Sequence, residues 1–215
     1  MNNFYEAIKV CVVALVLMFF ASNNCMPKTV RIFDIETAKE KIALGGYRYV
    51  NAVAFNPRGT RLAIPGGLDG KVKIFDTSNW KLLQTLSGHN KKIRALAFNR
   101  SGAIMACASD DKTIRIWDTK NWKCLKTLIG HDNLVLSLEF SHDGTKLVSG
   151  SKKNILKVWD TKKWSCVNTL SVSSEKFCSL DIQSLKFSPK EPNLLAIGLI
   201  RHYTYPRAAV RASSN

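Results

Sequence analysis

Acidic side chains are scarce in this chain. Its 215 residues hold 16 Asp and Glu against 32 Lys and Arg, a formal net charge of +16. A balance that one-sided argues against cationic partners and for anionic ones: acidic protein segments, nucleic acid or a membrane surface. Signature loops are missing too. There is no G-x-x-x-x-G-K-S/T, no G-x-G-x-x-G, no H-E-x-x-H and no G-x-S-x-G. A phosphate cradle, a dinucleotide turn, a zinc-protease helix and a nucleophile elbow therefore have no basis in the sequence. The six cysteines, at 11, 25, 107, 124, 166 and 178, form no C-x-x-C and no zinc spacing. Cys107, Cys124 and Cys166 sit inside strand patterns, where Cys acts as a small hydrophobe, and free thiols in a reducing compartment are the economical reading. No metal or cofactor is expected. The unbroken apolar run Val10–Ala21, 12 residues, falls short of the roughly 20 a membrane-spanning helix needs.

What is present is short and regular. Between Ser87 and Leu128 lie four apolar runs, each closed by a turn signal. Ile93–Phe98 ends at Asn99-Arg-Ser-Gly102, Ala103–Ala108 at Ser109-Asp-Asp-Lys112, Thr113–Trp117 at Asp118-Thr-Lys-Asn121, and Cys124–Leu128 at a Gly-His pair. Runs this short, β-rich and evenly spaced predict antiparallel strands joined by tight turns. The unit recurs. An aromatic-Asp pair falls at 33, 75, 117 and 159, a constant step of 42 residues. Trp80, Trp122 and Trp164 keep that step, as do Cys124 and Cys166, while Gly88-His89 returns as Gly130-His131.

A period in the low forties marked by Gly-His and Trp-Asp resembles the WD40 repeat over residues 29–199. The resemblance implies an all-β fold, a β-propeller with one four-stranded blade per unit. Blade one supplies Val30–Asp34 and Lys41–Leu44. Blade two reads Val50–Phe55, Arg61–Ile64, Val72–Phe75 and Leu82–Leu86, and blade three is the stretch above. Blade four reads Leu134–Phe140, Lys146–Gly150, Ile155–Trp159 and Cys166–Leu170. The register then slips by an insertion at Ser171–Ser179, and Ile182–Phe187 with Leu194–Leu199 begins a fifth blade. Three full blades and two partial ones predict an open or truncated propeller, since about seven close a ring in this family. Residues 200–215 read as a basic tail.

Residues 1–28 form an apolar amino-terminal segment with three readings. Val10–Ala21 matches the apolar region of a signal peptide or anchor, although Lys9 is the only nearby cation and Phe20-Ala21-Ser22 lacks a small-x-small site. Alternatively, Met18–Asn24 aligns with Met105–Asp111, making the run part of a worn blade. A local helix on the sheet is the third. The chain is expected in the cytoplasm, with the nucleus admitted, and on a secretory or membrane-anchored route if the run is a signal or anchor.

In WD40 blades a His, a strand Ser or Thr, a turn Asp and the Trp form a buried hydrogen-bond chain. The resemblance carries that structural role to His89, Asp111 and Trp117 in blade three, with Cys107 at the hydroxyl position. In blade four it falls on His131, Ser149 and Trp159, with Lys153 in place of the Asp. Blade two keeps Asp69 but has Tyr47 at the His position. A catalytic role for His89 with Asp111 is the lesser reading, because the family uses the pair structurally, and no catalytic residue is assigned. Lys91, Lys92, Lys152 and Lys153 fall on turns of one propeller rim, which such proteins commonly use for partners. On the other rim Lys120, Lys123, Lys162 and Lys163 interleave with Trp122 and Trp164. They either hold an anion or, more simply, stand solvated beside tryptophans that cap the sheet. The function these features imply is a non-enzymatic scaffold that binds acidic protein segments within a multiprotein complex. The alternative is direct binding of nucleic acid or anionic lipid, and open strand edges could pair with another chain.

Overall fold

The structure, a computed structural model, describes residues 14–15, 28–47, 49–172, 180–191 and 193–201. Among these every regular element is a strand. They run β1 Ala14–Leu15, β2 Lys28–Asp34, β3 Lys39–Tyr47, β4 Ala54–Phe55, β5 Arg61–Pro65, β6 Val72–Asp76, β7 Leu82–Leu86, β8 Ile93–Phe98 and β9 Ile104–Ser109. Then follow β10 Ile114–Asp118, β11 Cys124–Leu128, β12 Val135–Phe140, β13 Lys146–Ser151, β14 Ile155–Asp160, β15 Ser165–Ser171, β16 Leu180–Phe187 and β17 Leu195–Arg201. Three four-stranded antiparallel sheets, β4–β7, β8–β11 and β12–β15, follow chain order. They are flanked by a three-stranded sheet, β1–β3, and a two-stranded one, β16–β17. Among the described residues the sheets do not close on one another, so the fold is a partial propeller.

The turns explain the period. The first hairpin of each sheet is tied by one polar side chain. Asn56 Oδ1 accepts from Arg61 N at 2.9 Å, Asn99 Oδ1 from Ile104 N at 3.0 Å, and Ser141 Oγ from Lys146 N at 2.9 Å. The third hairpin is built on the Asp of each aromatic-Asp pair. Asp76, Asp118 and Asp160 accept through Oδ1 from the amides of Ser78, Lys120 and Lys162 at 2.8, 2.7 and 2.9 Å. These are Asx turns, in which a carboxylate stands in for a backbone acceptor. Their backbone carbonyls accept from Trp80, Trp122 and Trp164 N–H, each at 2.8 Å.

Strand alternation sends successive side chains to opposite neighbours. In β9, Met105 and Cys107 join Ala63, Val72 and Ile74 of the preceding sheet, while Ala106 and Ala108 join Val135, Leu138 and Leu147 of the following one. A third cluster joins Val30 and Ile32 to Leu62, Ile64 and Phe75, and a fourth joins Val148 and Leu156 to Ile182, Leu185 and Phe187. Every apolar cluster thus lies between consecutive sheets, which is what stacks them as blades.

Two sequence expectations change in detail. The first strand of blade two, expected over Val50–Phe55, is regular only at β4. Pro65, at the place Ala108 holds in the next sheet, has no N–H to extend the ladder. Blade one gains a strand: Ala14 and Leu15, inside the apolar run, pair with Ile32 and Arg31 of β2. The alignment of Met18–Asn24 lies outside the described residues, as do most of the Ser171–Ser179 insertion and all but the start of the basic tail. The described residues hold no helix long and apolar enough to cross a membrane.

Candidate functional site

In the sheet β8–β11, buried His89 reaches Asp111 Oδ2 through Nδ1 at 2.7 Å and the Cys107 carbonyl through Nε2 at 3.2 Å. Asp111 also accepts from Thr113 Oγ1 at 2.6 Å. Burial lowers the His89 pKa against the opposing pull of Asp111. The hydroxyl arm of the network is missing, because residue 107 is Cys. Trp117 Nε1 is buried there with no nitrogen or oxygen acceptor. Burial also drives the Cys107 thiol far above its ordinary value, so it stays protonated and inert.

The sheet β12–β15 shows the complement. Trp159 Nε1–H donates to Ser149 Oγ at 2.8 Å, and Ser149 Oγ lies 2.6 Å from His131 Nε2. With Trp159 donating into the oxygen, the hydroxyl proton goes to Nε2 and the imidazole proton sits on Nδ1. That atom is buried without a partner, because Lys153 replaces the Asp that would accept from it. Burial, with Lys157 nearby, pushes the His131 pKa down to about 4. In blade two Asp69 is exposed and only caps its own turn, accepting from Lys71 N at 3.2 Å. Tyr47 is buried, its hydroxyl unpartnered and its pKa raised by burial to about 12. Each of these two histidines thus keeps one half of a network, and both rings are buried.

The exposed chemistry is on the loop rim above these networks. Asp110 N–H donates to the Lys92 carbonyl at 2.9 Å and Ser109 Oγ to the Lys91 carbonyl at 3.2 Å. Lys152 N–H likewise donates to the Leu134 carbonyl at 3.0 Å. Glycine at 70, with φ of 67°, is needed because a Cβ there would run into the carbonyls of His89 and Lys91. These contacts set the turn after β5 against the loop before β8, so the lysine-bearing turns share one rim on fixed backbone.

The four lysines are not equivalent. Lys91 and Lys153 are exposed. Lys92 Nζ lies 4.7 Å from the centre of the Tyr49 ring, a cation–π contact. Lys152 Nζ lies 3.7 Å from Asp181, a buried carboxylate, so part of its charge is spent inside the chain. A bidentate pair between Arg94 and Asp110, at 2.6 and 2.7 Å, ties up a carboxylate that would otherwise compete on this rim. Asn154, φ 66°, accepts through Oδ1 from Leu180 N at 2.6 Å and anchors the Lys152–Lys153 turn to β16. Tyr49, Asn154 and Asp181 escaped the sequence reading. Only the Lys-Asn pair, a left-handed turn signal, hinted at one of them.

On the opposite rim Lys120, Lys123, Lys162 and Lys163 are exposed. Trp122 and Trp164 are packed against the inter-sheet clusters instead, so the simpler reading of those tryptophans, as caps on the sheets, is the one the structure supports.

Comparison with known proteins places these features. The family model "WD domain, G-beta repeat" matches residues 39–76, 80–118 and 122–160, more than half of the chain. The chain is 33% identical over 107 residues to WD repeat-containing protein VIP3 of Arabidopsis thaliana, covering 43% of this chain and 33% of that protein. It is 39% identical over 57 residues to human Pre-mRNA-processing factor 19, covering 26% of this chain and 11% of that one. A chain in the crystal structure of the mitotic checkpoint complex superposes with a TM-score of 0.72 at 24% identity, over 87% of this chain and 52% of that one. The matched segments span a third or less of these curated relatives and about half of the solved chain.

Proposed function

The chain belongs to the WD40 family, and from that premise we propose that it is a non-enzymatic scaffold whose lysine rim holds acidic segments of partner proteins in a multiprotein complex. The observation that supports this most is the rim itself. Lys91 and Lys153 project from turns whose backbone is hydrogen-bonded to the sheets, Lys92 is braced on Tyr49, and Arg94 neutralises the carboxylate of Asp110. Rigid loops lose little entropy when a partner docks, so more of the charge attraction appears as affinity. Such attraction is screened by salt, with a Debye length of about 8 Å at physiological ionic strength.

The test spares the internal ion pair. Lys152→Glu would set a second carboxylate beside Asp181, so the charges to reverse are Lys91→Glu with Lys153→Glu. Anisotropy of a fluorescein-labelled glutamate-rich peptide should show affinity falling at least tenfold in the double variant, with a flatter salt dependence. Unchanged binding would remove the reading. A labelled single-stranded oligonucleotide in the same assay checks the alternative. Binding of the oligonucleotide that outlasts the peptide's as salt rises would favour nucleic acid instead.

A further inference from the structure

The two ends of the three complete sheets carry charge differently. Strands alternate in direction, so the first and third hairpins of each sheet turn at one end and the remaining connections lie at the other. The hairpins span 56–60, 77–81, 99–103, 119–123, 141–145 and 161–164. They hold seven Lys and Arg against one carboxylate, Asp143. The connections at the other end, which include the lysine rim, span 66–71, 87–92, 110–113, 129–134 and 152–154. They hold six Lys against four Asp. The hairpin end is the more one-sidedly basic of the two.

These cations are also unpaired. Arg58, Arg100, Lys120, Lys123, Lys162 and Lys163 are exposed, and among the described residues none of them makes an ion pair. The carboxylates beside them are taken up by local donors. Asp76 accepts from Ser78 N at 2.8 Å and from Arg61 Nη1 at 2.9 Å, and Asp160 from the amides of Lys162 and Lys163 at 2.9 and 2.7 Å. Asp143 accepts from Ser141 Oγ at 2.6 Å and from Thr145 N at 3.0 Å. The turns use their acids to close themselves and leave their bases in solvent.

The backbone under them is braced. The third hairpin of each sheet is clamped to the first: Thr77, Thr119 and Thr161 donate through Oγ1 to the carbonyls of Gly59, Gly102 and Gly144 at 2.6, 2.6 and 2.7 Å. Neighbouring sheets touch here as well, since a Cβ at Gly102 would stand 3.2 Å from Pro57 Cδ. One construction, repeated in three consecutive sheets, sets the hairpins at a common level and holds the cations on one face.

We infer that this hairpin end is a docking face for an anionic lipid bilayer, with the lysine rim turned away from the membrane and open to protein partners. Three observations choose the bilayer over other polyanions. Cations spread over three sheets match a charge that is itself spread over a plane, where each cation near the surface is worth about fivefold in binding. Single-stranded nucleic acid gains from stacking on exposed aromatic faces, but Trp122 and Trp164 are packed against the inter-sheet clusters. The turn after β2, at the same end of the preceding sheet, leaves Ile35 51% exposed, an apolar side chain placed to enter the headgroup and acyl boundary beside the cations.

The test is co-sedimentation of the 215-residue protein with vesicles of phosphatidylcholine, alone or mixed with phosphatidylserine, over a salt series. Binding to the mixed vesicles at low salt is expected, weakening as salt rises, with none to phosphatidylcholine alone. Two variants of equal charge locate the face. Lys120→Gln with Lys162→Gln and Lys163→Gln should weaken binding at least tenfold. Lys71→Gln with Lys91→Gln and Lys153→Gln, at the other end, should leave it within twofold. All six side chains are exposed, and an unchanged near-UV circular dichroism spectrum checks that both variants fold. No binding at low salt overturns the inference. So does equal weakening by the two variants, which marks net charge alone, or salt-insensitive binding to phosphatidylcholine, which marks an apolar segment such as Val10–Ala21. A single-stranded oligonucleotide that displaces the protein from the mixed vesicles, and loses its own hold in the hairpin variant, makes nucleic acid the occupant and also overturns it. The acidic-peptide assay reads the lysine rim, so either reading can fail without the other.

Discussion

Single atoms decide how well each blade is held. At residue 107 a sulfur replaces an oxygen, and Trp117 Nε1–H loses the acceptor that Ser149 gives Trp159 at 2.8 Å. Cys107→Ser is nearly isosteric, so it should raise stability by about 1 kcal/mol, the net worth of a buried hydrogen bond. A higher urea midpoint at unchanged m-value would show it. His131 makes stability depend on pH. Its pKa is about 4 in the folded chain against an ordinary 6.5, so the fold favours the neutral ring. Its contribution is complete above pH 6.5 and is lost as pH falls toward 4, because the unfolded chain takes up the proton first. The loss is at most about 3 kcal/mol at 1.36 per pKa unit. His89, shifted the same way by burial, adds to it. Urea unfolding at pH 7 and pH 5 should show the fall, and His131→Gln should shed a large part of it.

At the scale of the element, the third hairpins carry a local conflict. Trp80, Trp122 and Trp164 sit in the left-handed region, with φ of 58°, 57° and 53°. That conformation costs a non-glycine residue roughly 1–2 kcal/mol. The ring offsets it by packing against the cluster between two sheets, and the Asp of the preceding pair holds the turn closed. Two substitutions separate these effects. Trp122→Ala loses the packing and keeps the strain, whereas Trp122→Gly loses both. The glycine variant should therefore be the more stable of the two by about 1 kcal/mol, although both fall below the natural protein. Thermal melts of the pair are enough to decide it. The strands and hairpins were legible in the sequence because each is written locally, by alternation along the strand and by an Asn, Ser or Asp at the turn. The positive φ of the tryptophans was not. No residue type at those positions announces it, and only the packing makes it tolerable.

For the whole molecule, cohesion comes from between the sheets, and the proposed partner site lies on a rim they share. The apolar clusters join each sheet to the next, and Leu199 and Ile200 of β17 are exposed among the described residues. By itself the sequence determined the all-β class, the 42-residue beat, the hairpin positions and a basic balance of charge. All of these follow from interactions within one repeat. Only the tertiary structure decided that Lys152 answers to Asp181 while Lys91 and Lys153 stay exposed, and that Trp122 and Trp164 pack against the inter-sheet clusters. The reason is physical. Burial and ion pairing depend on which residues of neighbouring blades meet in space, and a repeat written in one dimension does not contain its neighbour.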